Sequence, residues 1–328
     1  MSVTRSVFPI TAILGLLILS GCAAVINNDI HIEQGTALEL EETPFYPQEM
    51  YQCGPASLAM LLGASDVIID PDVLASQVYL PGRKGSLQLE LISTGRQYGR
   101  IPYIIDSQLS ALISELRAGR PVLVLQNLGL NIFPAYHYAV VIGALPPDKL
   151  VLRSGTTRRL VVDADHFLAT WRRADSWGMV ALKPGELPEA PDPVRYLEAV
   201  SSFEISGNIP EAELAYSAAC SAWPENQTAR VALGNNYLRQ ARYQDAGLIF
   251  RELLAINPNH VAASNNLAEA LVKRGCYEQA LAVINRTLTI AEELNSPLTQ
   301  TVLKTQLEIS EQMKGLQPGQ QGKCTELH

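Results

Sequence analysis

The sequence predicts a two-domain protein: an N-terminal α+β domain followed by an all-α solenoid of helix pairs. Three observations support this prediction. The chain has 328 residues, which is enough for two hydrophobic cores. Its first half alternates helical patterns with short apolar runs bounded by Gly and Pro, whereas its second half repeats with a period of 34 residues.

Composition and charge exclude several classes of protein. Hydrophobic residues make up 47% of the chain and charged residues 18%, as in folded globular proteins. The net charge of -8 contains no basic stripe, so nucleic acid is not an expected partner. The five cysteines lack the paired spacing of a zinc site, and His166 has carboxylates beside it but no second histidine or cysteine. We therefore expect no metal and no organic cofactor.

The first residues have the features of an export signal. Arg5 precedes a short apolar run over residues 10–19, which is too short to span a bilayer. The sequence Leu-Ser-Gly-Cys that ends at Cys22 resembles the lipobox of bacterial lipoproteins, and this resemblance implies cleavage before Cys22 and lipidation of its thiol. Ala23 after the cysteine suggests a Gram-negative outer membrane, with the protein facing the periplasm. A purely secretory signal is the alternative.

These patterns predict a signal peptide over residues 1–21, a polar tether over 22–43 and a first domain over 44–183. Apolar runs at 121–126, 138–142 and 149–152 predict strands of one sheet. Residues 55–62 and 107–118 have helical patterns. The next segment, 184–192, is predicted to be a linker because prolines within and beside it exclude helix and central strand.

Residues 193–314 repeat three times, over 193–226, 227–260 and 261–294. Small and large apolar residues recur at the 34-residue period, in the columns Ala212, Ala246, Ala280 and Tyr216, Phe250, Ile284, beside a column of Gly207, Ala241 and Gly275. The pattern resembles the tetratricopeptide repeat family, which implies a solenoid that binds a protein partner. An amphipathic helix over about 297–313 is expected to cap it, and residues 315–328 are expected to be disordered.

Cys53 stands directly before a predicted helix, in the sequence Cys-Gly-Pro. Pro55 suits a first helical turn, and Gly54 allows close approach of another chain segment. At this place a thiol faces unpaired backbone N–H groups and the positive end of the helix dipole, which favour the thiolate. Cys53 is therefore a candidate nucleophile, and a buried structural cysteine is the alternative.

His137 begins the apolar strand that runs to about residue 142. A histidine at the end of a strand can reach a helix N-terminus, which is the cysteine-plus-base arrangement of papain-like enzymes. A structural role is the alternative for this histidine when it is considered alone. Together, Cys53 and His137 predict a nucleophile and its base.

Residues 44–183 resemble the bacteriocin-processing, double-glycine-leader type of papain-like cysteine peptidases. The resemblance rests on Gln48, the Cys-Gly-Pro-Ala sequence at Cys53 and the strand at His137. It implies an α+β papain-like fold in which Cys53 attacks the scissile carbonyl, His137 accepts its proton and Gln48 contributes to the oxyanion hole. Gln52 is the fallback for that last role.

The sequence departs from this family at the residue that orients the histidine. The family has an aspartate at the end of the following strand, whereas Ser154 lies at the matching place here. Ser154 is our first candidate for the third catalytic member, with Asp148 and Asn127 as alternatives. The missing carboxylate also leaves open a non-catalytic descendant of the family.

From these features we expect a membrane-anchored cysteine peptidase that cleaves a peptide or protein substrate without a cofactor. The repeats are expected to bind a protein partner. An amidase or transpeptidase could use the same Cys-His pair, and an interaction lipoprotein without activity is the third possibility.

Overall fold

In the computed structural model, the structure describes residues 37–47, 52–83 and 85–315, all within one compact unit, His31–His328. An α+β region comes first and a helical region follows, so the predicted fold class is confirmed. The predicted signal peptide, Cys22 and Gln48 lie outside the described residues, as do the last thirteen positions. Within the described residues, no helix combines the length and the apolar character that crossing a bilayer requires.

A seven-stranded antiparallel sheet forms the centre of the α+β region. Six strands follow the order β2-β7-β3-β4-β5-β6, and β1 pairs with β4. β4 is the longest strand, and it lies between β3 and β5 in the sheet. The strands are β1 (Leu38–Glu39), β2 (Ile101–Ile104), β3 (Val122–Asn127), β4 (Tyr136–Leu145), β5 (Lys149–Ser154), β6 (Thr157–Asp163) and β7 (Gly178–Leu182).

In the part of the chain that the structure describes, five helices and a short 3-10 helix, Pro81–Arg83, accompany the sheet. Helix α1 is buried along almost its whole length and packs through Ala56 and Met60 against Val140 and Ile142 of β4. Its other side packs against α2 and α3, so it is enclosed by the domain. The helices are α1 (Cys53–Gly63), α2 (Pro71–Val78), α3 (Gln88–Gln97), α4 (Leu109–Arg117) and α5 (Ala164–Arg172).

The proline-rich segment after β7 packs against the α+β region. The buried carboxylate of Glu115 accepts hydrogen bonds from Arg120 Nε at 2.6 Å and from the backbone N–H of Glu189 at 2.8 Å. Farther along, the backbone N–H of Asp192 donates to the hydroxyl of Tyr103 at 3.2 Å. These contacts hold the start of the helical region against the first domain.

The helical region consists of three antiparallel helix pairs and a final helix. In each pair the turn between the helices contains a residue of the predicted 34-residue column, Gly207, Ala241 or Gly275, at φ 104°, 57° and 78°. The left-handed backbone explains the small residues in this column, because a larger side chain is strained there. The helices are α6 (Pro193–Ile205), α7 (Ile209–Ala222), α8 (Gln227–Arg239), α9 (Tyr243–Ile256), α10 (Val261–Lys273), α11 (Tyr277–Glu293) and α12 (Thr299–Lys314).

Close approach of α8 and α9 depends on Gly234. A Cβ at this position would lie 2.5 Å from Cε1 of the buried Phe250 ring. We expect Gly234→Ala to lower the free energy of unfolding by about 1–2 kcal/mol, because overpacking outweighs the gain in helix propensity. Chemical denaturation measures this change.

Gly82→Ala is the matched control, since a Cβ there meets no atom of the described residues within 4 Å. In a Phe250→Leu background the cost of Gly234→Ala should fall, because the shorter side chain gives way. An unchanged cost in that background would contradict the proposed overlap of the Cβ with the ring.

Candidate active site

Cys53 is the first residue of α1 and is half-buried. The carbonyl of Gln52 accepts the N–H of Ala56 at 3.2 Å and so starts the helix. Since Pro55 has no N–H, the backbone donors at this helix end that lack an intrahelical partner are those of Cys53 and Gly54. The thiol therefore lies where a negative charge is favoured by the helix N-terminus.

The thiol of Cys53 packs beside β4. Cys53 joins the hydrophobic cluster that contains Tyr138 and Trp177. Burial raises the pKa of Tyr138, and the negative charges of a Cys53 thiolate and of Glu90 raise it further. Cys53 is thus a neighbour of the residue that follows His137. Among the described residues, no hydrogen bond joins the thiol to the imidazole.

His137 is the second residue of β4, and its imidazole is held by Ser154 at the end of β5. Nε2 of His137 lies 2.9 Å from Oγ of Ser154. Burial lowers the pKa of His137, and the hydroxyl of Ser154 brings no negative charge to counter that effect. The ring is therefore predominantly neutral at pH 7, a state in which it can accept a proton.

Within the described residues, neither of the other two candidates for the orienting residue hydrogen-bonds to His137. Asp148 lies in the turn after β4, whereas His137 is near the first end of that strand, about 27 Å away along the strand. Oδ1 of Asn127 accepts the N–H groups of Gly129 at 3.0 Å and Ala135 at 2.9 Å, so this side chain closes a loop. Ser154 is the candidate that contacts the ring.

The structure describes one of the two candidate oxyanion donors, Gln52. Gln48 is outside the described residues. Gln52 is the N-cap residue of α1, directly before Cys53, and its side chain makes no capping hydrogen bond. Its amide is not used to stabilise the helix end.

Ser86 is a polar neighbour of the site that no sequence pattern indicated. A Cβ on Gly54 would overlap its hydroxyl, and its carbonyl accepts the hydroxyl of Tyr138 at 3.3 Å. Among the described residues, the buried Oγ of Ser86 has no hydrogen-bond partner, and neither does Oε2 of Glu90. Gly54 thus permits the segment before α3 to approach the start of α1, which explains a glycine after the cysteine.

Comparison with known proteins agrees with both parts of this architecture. Residues 40–176 match the Peptidase_C39 like family, and residues 197–260 and 237–293 match tetratricopeptide repeat families. The chain thus contains a C39 peptidase-like domain followed by tetratricopeptide repeats. No curated protein matches the chain.

Three solved structures are similar to parts of the chain. The peptidase domain of Streptococcus ComA, a bi-functional ABC transporter involved in quorum sensing, is 16% identical, covers 43% of this chain and 98% of its own, and has a TM-score of 0.35. A double glycine motif protease from an AMS/PCAT transporter, in complex with the leader peptide, is 18% identical and covers 42% and 89%, with a TM-score of 0.33. The TPR2B-domain:pHsp70 complex of yeast Sti1 is 18% identical and covers 37% and 97%, with a TM-score of 0.34.

Replacing Ser154 by aspartate should raise the pKa of His137. The contact between Ser154 and Nε2 would become a contact with a carboxylate, which stabilises the protonated ring against the effect of burial. NMR titration of the imidazole, assigned with His137→Ala, measures the midpoint. We expect a midpoint below 6.5 in the unmodified protein and a higher one in Ser154→Asp.

Thr157→Asp is the matched control for this titration. Thr157 pairs with Ser154 across the β5–β6 hairpin and is exposed. An aspartate at position 157 therefore adds the same charge without replacing the group that contacts the ring. Equal shifts in the two variants would show that the Ser154 contact does not control the titration of His137.

Proposed function

We propose that this protein is a membrane-anchored cysteine peptidase in which Cys53 is the nucleophile and His137 the general base. The observation that carries the proposal is the meeting of α1 and β4. Cys53 begins the helix beside Tyr138, and His137 precedes Tyr138 with its Nε2 bound to Ser154. The match of residues 40–176 to the Peptidase_C39 like family supports the same chemistry.

The first chemical step forms an acyl-enzyme. His137 takes the thiol proton, and the sulfur of Cys53 attacks the carbonyl carbon of the scissile peptide bond. The carbonyl oxygen becomes an oxyanion in the tetrahedral intermediate. When this intermediate collapses, the C–N bond breaks, the imidazolium gives its proton to the leaving amine, and a thioester to Cys53 remains.

The second step hydrolyses the thioester. His137 takes a proton from water, and the resulting hydroxide attacks the thioester carbonyl. The C–S bond breaks, the carboxylic acid product leaves, and the proton returns to the sulfur. No metal or organic cofactor takes part in this sequence.

Stabilisation of the oxyanion is assigned to the N-terminus of α1 and one glutamine. The N–H groups of Cys53 and Gly54 point out of the helix end, and Gln48 or Gln52 would supply a side-chain amide. A single well-placed donor contributes about 3 kcal/mol to such transition states.

Ser154 is proposed as the positioning residue that fixes the orientation of the imidazole. A serine holds the ring without charge, so it stabilises the imidazolium less than a carboxylate would. The chemistry can proceed with a weaker third member, since nucleophile and base are the pair that moves the proton.

A binding domain without catalytic activity is the second candidate function. Two observations favour it: the lowered pKa of His137 and the serine in place of an acidic partner. The domain would then recognise a peptide without cutting it. An amidase or transpeptidase would use the same residues and would differ only in its products.

We assign the helical repeats to binding of a protein partner. A cavity of about 760 Å³ is lined by residues of α6, α7 and α8, including Tyr216 and Arg239. Both contact the buried carboxylate of Glu204, which lies 3.8 Å from Nε of Arg239 and accepts the hydroxyl of Tyr216 at 3.2 Å. Arg239 is thereby fixed while half of its side chain stays exposed, as suits a recognition residue.

The membrane attachment in this proposal rests on the sequence around Cys22. Thioether-linked diacylglycerol together with an amide-linked acyl chain would give stable anchoring, since one chain alone binds weakly. The expected location is the outer membrane, with both domains in the periplasm. Incorporation of radiolabelled lipid into the wild-type chain, and its absence in Cys22→Ser, tests the anchor separately from the chemistry.

Cysteine labelling tests the proposed nucleophile. At limiting iodoacetamide and pH 7, we expect Cys53 to be alkylated at least about tenfold faster than Cys220, as measured by mass spectrometry of digested protein. Both thiols are free and half-buried, and burial raises the pKa of Cys220, which makes it the matched slow control.

His137→Ala should slow the labelling of Cys53 and leave that of Cys220 unchanged. Peptide cleavage should disappear in Cys53→Ala. Equal labelling of the two thiols in the unmodified chain would refute the peptidase and favour the binding domain. Fast labelling with amine transfer instead of hydrolysis would indicate a transpeptidase.

A further inference from the structure

The loop between β3 and β4 exposes an unusual number of large apolar side chains. We call residues 128–136 the apolar hairpin. Its five large residues each expose between 54% and 76% of their surface: Leu128, Leu130, Ile132, Phe133 and Tyr136. Exposed apolar side chains concentrated in one short segment are typical of surfaces that contact another molecule or a membrane.

The apolar hairpin is an ordered structure. The N–H of Leu128 donates to the carbonyl of Ala135 at 2.9 Å, and that of Phe133 donates to Leu130 at 3.0 Å. The side chain of Asn127 closes the base by accepting two further N–H groups. The backbone of the hairpin is therefore already ordered before any contact forms, so a contact made by these side chains loses little conformational entropy.

No Asp, Glu, Lys or Arg occurs in the sequence between Arg120 and Asp148, and the histidine in this range, His137, follows the hairpin. The tip can therefore enter an apolar medium without burying a carboxylate, an ammonium or a guanidinium. It also carries Phe133 and Tyr136, and aromatic rings of this kind are favoured at the boundary between lipid and water. Since each large side chain is more than half exposed, the tip does not itself enclose a ligand, as a binding pocket does.

We propose that the apolar hairpin inserts into the surface of a lipid bilayer. The inference extends the proposed function, because the hairpin leads directly into His137 and would hold the candidate active site at the boundary between lipid and water. The substrate would then be a peptide segment close to the membrane surface.

The proposed anchor has the reach that this arrangement needs. Residues 23–36 separate Cys22 from Ala37, and this stretch of chain can span at most about 50 Å. The described chain begins beside Ala144, which pairs with Leu38 at the far end of β4. Tyr136 lies about 27 Å from there along the strand, so a chain anchored at Cys22 can bring the hairpin to the same bilayer.

Vesicle binding without the lipid anchor tests the proposal. The probe is a chain of residues 23–328, which keeps the compact unit His31–His328 and lacks Cys22. We expect it to co-sediment with vesicles of phosphatidylcholine. Binding should change little between 50 mM and 500 mM salt, because phosphatidylcholine carries no net charge and the contact is apolar.

The double variant Ile132→Asp/Phe133→Asp should bind these vesicles about tenfold or more weakly, since two apolar side chains are lost from the contact. Ile68→Asp is the matched control, because Ile68 is 81% exposed and lies outside the hairpin, in the segment before α2. Unfolding temperatures of all three chains show whether the variants keep the fold.

Absence of vesicle binding by the unmodified chain would overturn the proposal, and so would equal losses in the hairpin and control variants. Self-association that the hairpin variant abolishes, without any vesicle binding, would assign the surface to a second copy of the chain instead. Each of these outcomes leaves the labelling of Cys53 unaffected, so failure of the membrane contact is distinguishable from failure of the peptidase.

Discussion

The packing of α1 against β4 is the constraint on which the candidate site depends. The helix is buried from Gly54 to Leu62, so its first residue has little freedom to move relative to the sheet. At one end Gly54 allows contact with Ser86, and at the other a Cβ on Gly63 would overlap Pro44. Close approach at both ends fixes the helix along its axis, and it fixes the backbone at Cys53 beside β4, whose second residue is His137.

Electrostatics at His137 distinguish this site from one with an acidic third member. Burial disfavours the imidazolium, and the partner at Nε2 is a neutral hydroxyl. A carboxylate at Ser154 would offset the desolvation of the charged ring, whereas serine provides orientation alone. The arrangement favours the neutral imidazole, which can accept a proton, and in the proposed peptidase it would disfavour an ion pair of thiolate and imidazolium. The two candidate functions, peptidase and binding domain, therefore differ in whether His137 can still take the proton of the Cys53 thiol.

The two domains are joined by specific polar contacts. Glu115 holds the segment before α6, and Nδ2 of Asn208 donates to the carbonyl of Arg96 at 3.1 Å. A partner bound to the repeats would consequently be held in a defined direction relative to Cys53. The apolar hairpin leads into β4 next to His137, so the proposed membrane contact would lie close to the proposed peptidase site.

The sequence by itself determined the order of the two architectures, the repeat columns and the residue types of the candidate pair, because local periodicity and a helix-start motif encode them. It also indicated α1, α4, β3, β4 and β5 to within a few residues. The pairing of the strands decided which residue contacts the imidazole. Ser154 lies within hydrogen-bond distance of His137, whereas Asp148 is at the other end of β4 and the side chain of Asn127 binds a loop. Apolar residues 128–136 would be expected inside by composition. Only the tertiary structure shows them exposed, since exposure depends on which elements cover a segment and not on its own residues.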